Sequence, residues 1–420
     1  MADMLNSLVL EEFLNSHLPD YLKLLQKWVS INSFTANVDG VNRLGQVTAV
    51  SFAELGFKAE HIPSNNEAYG NHLVMTRLGN SGRTIGMVSH LDTVFPRDEE
   101  IRNNFAWRED GERIYGPGTV DIKGGTLIIY MMLAALQTLA PDTFEAITWV
   151  ILLDSSEEVD GTEFGQLCID RVGTDAMACL VFEGGYLQNN QAKVVVARKG
   201  MAIYRIEVEG KASHAGSAHE RGANAIMQLA DVVQRVCRLT DYERDLTFNV
   251  GKIEGGTVTN RVPHFASADV EMRAFTPDEY DDGVAEMLAL DGLSTVQSAQ
   301  GQVPCRVSVR KTRKTKPWPR NEGTDRLFTI WQEAGEEVGI EVIPEERGGL
   351  SDGNYFWDVI PSIDGLGAAG GNAHCSEQSD DGSKEQEYCL PAALIPKTVM
   401  NITAVLKLIG YGKTKDNLLT

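Results

Sequence analysis

Glu157 and Glu158 stand side by side just after the apolar run Ile147–Leu153. Adjacent carboxylates repel unless a cation or a shared proton relieves them. A metal beside one and a water beside the other is a natural resolution: one acid holds the ion and the other serves as general base. Read alone, the pair is equally well an exposed acidic loop, since Asp154 and Asp160 flank it. Four more motifs carry groups of the same kind. Ser89-His90-Leu91-Asp92 sets an imidazole and a carboxylate two residues apart, on one face of extended backbone. Gly116-x-Gly118-x-x-Asp121-x-Lys123-Gly124-Gly125 puts an acid at a loop-to-helix junction, where Asp is often only an N-cap. Its spacing is not that of a phosphate loop, and Asp121 would repel phosphate. Phe182-Glu183-Gly184-Gly185 and Gly370-Gly371-Asn372-Ala373-His374 complete the set. Each signal is weak alone. Together they offer His90, Asp121, Glu158, Glu183 and His374 as ligands, enough for two ions when one carboxylate bridges. Mixed nitrogen and oxygen donors favour zinc, with manganese or cobalt as alternatives. Such a pair activates water for attack on an acyl carbon.

These motifs need a scaffold that brings distant segments together. Helical spacing runs from Leu8 to Val29 and again over Val41–Leu55. Lys58–Ile62, His72–Arg77, Thr84–His90, Ile147–Leu153 and Ala178–Glu183 read as strands, and Thr126–Leu139 as a helix between two of them. Alternating strands and helices predict an α/β fold with a mostly parallel mixed sheet flanked by helices. Each motif then falls at the end of a strand, where α/β proteins place ligands. Near Arg198 the pattern changes. Met201–Glu209 alternates, a helix over Asn224–Leu239 follows, then strands Phe248–Ile253 and Ala266–Ala274, a helix Ala285–Leu290 and a strand Cys305–Arg310. This β-α-β-β-α-β order predicts an inserted ferredoxin-like α+β domain, with basic Arg310–Lys316 as the return linker. The expected domains are 1–196 with 315–420, and 197–314.

Hydrophobic residues are 43% and charged residues 23% of the 420, an ordinary globular composition. Lys and Arg number 38 against 59 Asp and Glu, a net charge of −21, which argues against nucleic acid and anionic membranes as partners. Met1–Trp28 lacks the basic start and apolar run of an export signal, and no transmembrane helix is expected. Six scattered cysteines without a CxxC pair fit reduced thiols, so a cytoplasmic setting is expected.

The motif set resembles the glutamate carboxypeptidase, aminoacylase, acetylornithine deacetylase and succinyl-diaminopimelate desuccinylase group of co-catalytic metallohydrolases, most of all its glutamate carboxypeptidase-like branch. The likeness covers roughly residues 20–410 in order. It includes Ala197-Arg198-Lys199-Gly200, Gly210-x-x-Ser213-His214-Ala215-Gly216, Gly255-Gly256-Thr257-x-x-Asn260-x-Val262-Pro263 and Gly348-Gly349-x-Ser351-Asp352-Gly353. The resemblance implies a metal-dependent hydrolase of a C–N bond in a small carboxylate-bearing substrate, built as a homodimer through the inserted (lid) domain. It implies His90 and Glu183 on one ion, Glu158 and His374 on the other, and Asp121 bridging. Asp92 would orient His90, and Glu157 would be the general base. His214 would stabilise the oxyanion in the partner subunit's site. Asn260, Arg273 and the Gly370–Gly371 backbone would bind substrate. Bland readings stand beside these: Arg273 paired with Glu271 on a solvated strand, Asn260 as a turn residue, Asp352 as structural. One departure is Ser155-Ser156 before the Glu pair, where the family usually has Asp or a similar polar residue. It leaves open an aminohydrolase acting on an aromatic acid. A non-catalytic binding relative is the remaining alternative, and the retained Glu157 argues against it.

Overall fold

A computed structural model describes residues 6–416. They form two units: residues 6–196, 320–346 and 351–416 make the first, and Ala197–Pro319 with Arg347–Leu350 the second.

The first unit is built on a six-stranded sheet in the order Lys58–Pro63, Asn71–Arg77, Ile147–Asp154, Arg83–His90, Ala178–Val181, Ser362–Ile363. The last four strands are mutually parallel, and the first two add antiparallel at one edge. Ile147–Asp154 is buried over almost its whole length, as a parallel strand covered on both faces must be. One face packs on Ser7–Val29, Lys123–Leu139, Glu322–Val338 and Pro391–Asp416. The other packs on Phe164, Cys168 and Val172 of helix Thr162–Val172, with Phe356 and Ile360. Lys123–Leu139 is buried nearly all round and carries no apolar stripe of its own.

No transmembrane helix is expected from the sequence, yet Pro391–Gly410 is a stretch long and apolar enough to cross a membrane. Here it is a core helix, 72% buried over that window, with Leu394, Met400, Ile402 and Val405 in the main core. All six cysteines are free.

The second unit is a four-stranded antiparallel sheet in the order Thr247–Gly255, Phe265–Ala274, Gly200–Glu209, Arg306–Thr315. Helices Ala225–Cys237 and Pro277–Leu288 bury one face through Ala202, Tyr204, Ile206 and Val208. Two details differ from expectation. The second helix begins at Pro277 with Thr276 as its cap, ahead of Ala285, because Pro at the first helical position is a start signal. The basic stretch Arg310–Lys316 is no linker: it is strand through Thr315. Charged residues suit this strand because it lies at the sheet edge, where they discourage further pairing. Trp318, fully buried, pairs backbone with Arg198 in both directions, and the Arg198 guanidinium donates to Gly349 O (3.0 Å) and Leu350 O (2.8 Å). That arginine ties Arg347–Leu350 to the second unit.

Candidate metal centre

Three adjacent parallel strands end at one place. His90 closes Arg83–His90 and lies in register with Asp154, the last residue of the neighbouring strand. Glu157 and Glu158 follow in the turn after Asp154, and Glu183 follows Ala178–Val181. Asp121 comes from the loop entering Lys123–Leu139. It does not cap that helix: the N-cap is Ile122, with no side-chain cap, so the Asp121 carboxylate is available for the centre. His374 comes from the loop after Gly370–Gly371 and adopts the left-handed φ of 67°.

Asp121 occupies the middle. Its Oδ1 is 3.1 Å from His90 Nε2, and its Oδ2 is 3.3 Å from His374 Nε2. His90 Nε2 also approaches Glu183 Oε1 at 3.9 Å, and His374 Nε2 approaches Glu158 Oε2 at 3.1 Å. Two triads result, His90–Asp121–Glu183 and Asp121–Glu158–His374, each with donor atoms within 4.8 Å of one another. A carboxylate that shows one oxygen to each triad is a bridging ligand in outline. The donor set, imidazole nitrogen with carboxylate oxygen, suits zinc and its neighbours among divalent metals.

Asp92 does more than steady the histidine. His90 Nδ1 donates to Asp92 O at 3.0 Å and lies 3.4 Å from its Oδ1, which leaves Nε2 pointing at Asp121. The buried Asp92 carboxylate also accepts the N–H of Glu157 at Oδ1 (3.2 Å), and at Oδ2 the N–H of Glu158 (3.3 Å) and the hydroxyl of Thr35 (2.7 Å). Asp92 therefore sets the tautomer of His90 through its backbone carbonyl and the backbone of the Glu pair through its carboxylate.

The acids shape each other's titration. Burial pushes the Glu157 carboxyl well above its ordinary range, and the charge of Glu183 pushes it further. Burial also raises Glu158, against the pull of His374. Burial opposes ionisation of Asp121, yet hydrogen bonds from His374 and His90 hold it well below the usual carboxylate range. His374, bonded to Asp121 and Glu158, is raised to about 11. So concentrated a set of acids calls for cations.

Ser155 and Ser156 prove to be turn-makers. Ser155 Oγ donates to Gly70 O (2.8 Å), Ser156 N donates to Asp154 Oδ1 (2.9 Å), and Ser156 O accepts from Asp160 N (2.8 Å). Asp154 is held in turn by His72, which is buried and lies 3.0 Å from both Asp154 and Glu163. Asp352 and Asp154 each leave one buried oxygen without a hydrogen bond, both beside Gly161. A Cβ there would lie 2.6 Å from Asp352 Oδ1 and 3.4 Å from Asp154 Oδ2, so only glycine fits. His72 and Glu163 carried no sequence signal, because their partners lie 82 or more residues away in the chain. Gly370 and Gly371 pair with Cys389 and Tyr388, and a Cβ on Gly370 would sit 2.0 Å from Tyr388 O. Close backbone approach is thus one reason for glycine there.

His214, Asn260 and Arg273 belong to the second unit. His214 is exposed, and its Nδ1 accepts the N–H of Gly216 and of Ser217, each at 3.1 Å, so a neutral ring carries its proton on Nε2. Asn260 is exposed and its carbonyl accepts from Ala215 N (2.9 Å). Arg273 pairs with Glu271 (2.9 Å) and donates to Gly348 O (3.0 Å); the bland reading of this residue describes its present contacts.

A mixed sheet with a βαββαβ insert, and a bridging carboxylate between two His-acid triads, define a co-catalytic metallohydrolase architecture. Residues 86–386 match the model of peptidase family M20/M25/M40, and the chain belongs to that family. It is a metal-dependent hydrolase of C–N bonds of the peptide or amide type. Among its relatives, carboxypeptidase G2 of Pseudomonas sp. (strain RS-16) is 28% identical over 401 residues, covering 94% of this chain and 90% of that one. Acetylornithine deacetylase of Klebsiella pneumoniae (strain 342) is 23% identical, covering 59% and 66%. Among solved structures, a tripeptidase of Staphylococcus aureus superposes with a TM-score of 0.73 at 20% identity over 93% of this chain and 98% of that one. A dinuclear metal binding peptidase of Bacillus subtilis does so with a TM-score of 0.65 at 13% identity, over 94% and 99%.

Proposed function

We propose that the protein hydrolyses the amide bond of a small carboxylate-bearing substrate, as a carboxypeptidase or N-acyl-amino-acid hydrolase does. The observation that carries this reading is Asp121 turned with one oxygen to each imidazole, beside a second acid, Glu157, that belongs to neither triad. The names of the carboxypeptidase and deacetylase relatives support it. His90, Asp121 and Glu183 would hold one divalent ion and Asp121, Glu158 and His374 a second, zinc by donor type with manganese or cobalt as alternatives. Bound there, the ions supply Lewis acidity, polarising the scissile carbonyl and lowering the pKa of water.

The chain's own residues do the rest. Glu157, its carboxyl raised by burial, takes a proton from the attacking water and delivers it to the leaving nitrogen. Asp92 keeps Glu157 in reach by gripping its N–H. His214, with Nε2–H outward, is the donor for the developing oxyanion, reaching the site of the partner chain in a homodimer. Asn260 and Arg273 receive the substrate carboxylate, which at Arg273 must compete with Glu271. Backbone N–H groups of Gly370–Gly371 add donors. The six free thiols suit a reducing cytoplasm.

The test uses purified protein and a panel of N-acyl amino acids, glutamyl arylamides and dipeptides, with and without chelator. Glu157→Ala is expected to keep wild-type metal content while turnover falls about 10²–10⁴-fold. Near-wild-type turnover in that variant, or wild-type cleavage indifferent to chelator, would overturn the reading.

A further inference from the structure

Two of the proposed ligands, Asp121 and His374, sit on loops rather than strand ends. Both loops are gripped by one short segment, Glu385–Tyr388, that no motif singled out. Its backbone is anchored on two sides: Tyr388 pairs with Gly371 and with Tyr115. Its side chains then reach in three directions. Glu387 is fully buried, and its Oε1 accepts the N–H of Val120 (3.0 Å) and of Asp121 itself (3.2 Å). Those donors lead into the N-terminus of Lys123–Leu139, which has no side-chain cap. Glu385 accepts from Asn372 Nδ2 (3.0 Å) and Tyr115 Oη (2.8 Å) and pairs with Arg113. Gln386 Nε2 donates to Ser376 O (3.0 Å) and Asn103 O (2.9 Å). Asn372 and His374 both hold a left-handed backbone, with φ of 58° and 67°. A non-glycine residue keeps that conformation only where its surroundings enforce it.

We propose that Glu387 and Glu385 are positioning residues for the metal centre, Glu387 acting through Asp121 and Glu385 through Asn372 and the His374 loop. The proposal rests on the two-ion reading above and adds a division of labour to it. Asp121 belongs to both triads, so Glu387 governs the binding of both ions. His374 belongs to one, so Glu385 governs only the ion of Asp121–Glu158–His374.

The experiment is calorimetric titration of chelator-stripped full-length protein with Zn²⁺, read as two affinities per chain, with circular dichroism to verify folding. Groups that orient metal ligands are expected to change affinity by about 10–100-fold. Glu387→Met should weaken both ions by that factor, and Glu387→Gln, which keeps a carbonyl acceptor for the two N–H groups, should restore most of it. Glu385→Ala and Asn372→Ala should each weaken one ion and leave the other at wild-type affinity. If Glu387→Met does not fold, the Glu385 and Asn372 variants decide: loss at both ions, or at neither, overturns the proposal. A wild-type protein that binds none of Zn²⁺, Mn²⁺ and Co²⁺ in the same titration overturns this proposal and the functional reading together. Variants that match a two-ion wild type overturn this proposal alone.

Discussion

On the open face of the second unit's sheet, acids stand beside arginines; at the head of the first unit's central sheet, acids stand beside acids. In the second unit Arg205 meets Asp269 at 3.0 Å, Arg310 meets Glu207 at 3.0 Å, and Arg273 meets Glu271 at 2.9 Å. These are cross-strand or same-strand neighbours on a solvated surface, where each pair contributes roughly 0–1 kcal/mol. In the first unit Asp121 and Glu158 find imidazoles, and Glu157 finds chiefly the repulsion of Glu183. Burying such groups without cations is costly, so a fold keeps them where their charge is to be used. Charge density alone is therefore uninformative in this protein; whether each acid has its own base separates surface from site.

Three substitutions bear on that contrast. The largest stability effect is expected beneath the site, at His72. Its ring is buried, a cost to the charged form, but bonds to Asp154 and Glu163 more than offset this and raise it above its ordinary value of 6.5. A raised histidine stabilises the folded state fully at pH below the unfolded value, and the contribution fades as pH climbs through the folded value. His72→Ala should therefore cost about 3–5 kcal/mol in mildly acidic solution, the cost of stranding a buried charge. The gap in Tm from wild type should narrow as pH rises; a gap that widens with pH would reverse the assignment.

Asp92→Asn comes next. The amide can accept at one oxygen only, so it cannot serve the Glu157 and Glu158 N–H groups and Thr35 as the carboxylate does. Turnover should fall about 10–100-fold, with folding retained by circular dichroism. Unchanged turnover would show that the Glu pair holds its place without Asp92. The smallest effect belongs to the second unit: Arg205→Met should change stability in denaturant titration by no more than about 1 kcal/mol. A loss of several kcal/mol would erase the distinction between the two faces.

Much of this was legible from residue order. Apolar runs such as Ile147–Leu153 announce buried strands, and acids placed just past them announce a site at the strand ends, because a parallel sheet delivers its C-terminal ends to one edge. Alternation over Met201–Glu209 likewise announces a half-covered strand. Arg310–Lys316 misleads because charge in a strand looks like charge in a loop until the edge position is known. Pro391–Gly410 escapes notice because Lys397 and Lys407 interrupt its apolar run, although Lys397 is buried and donates to Gly365 O at 2.8 Å.

The sequence by itself determined most of the core element types, the insert's β-α-β-β-α-β order and the five side chains able to hold metal, since these follow from local periodicity and chemical type. Only the tertiary structure decided which oxygen of Asp121 faces which imidazole, that Asp92 grips both Glu157 and Glu158, and that Glu385 and Glu387 brace the two loop-borne ligands. Most of those contacts join residues far apart in the chain, 65 positions from Asp92 to Glu157 and 267 from Glu387 to Val120. Nothing in local spacing reports on such separations; they are set by how the packed core brings the strand ends and loops together.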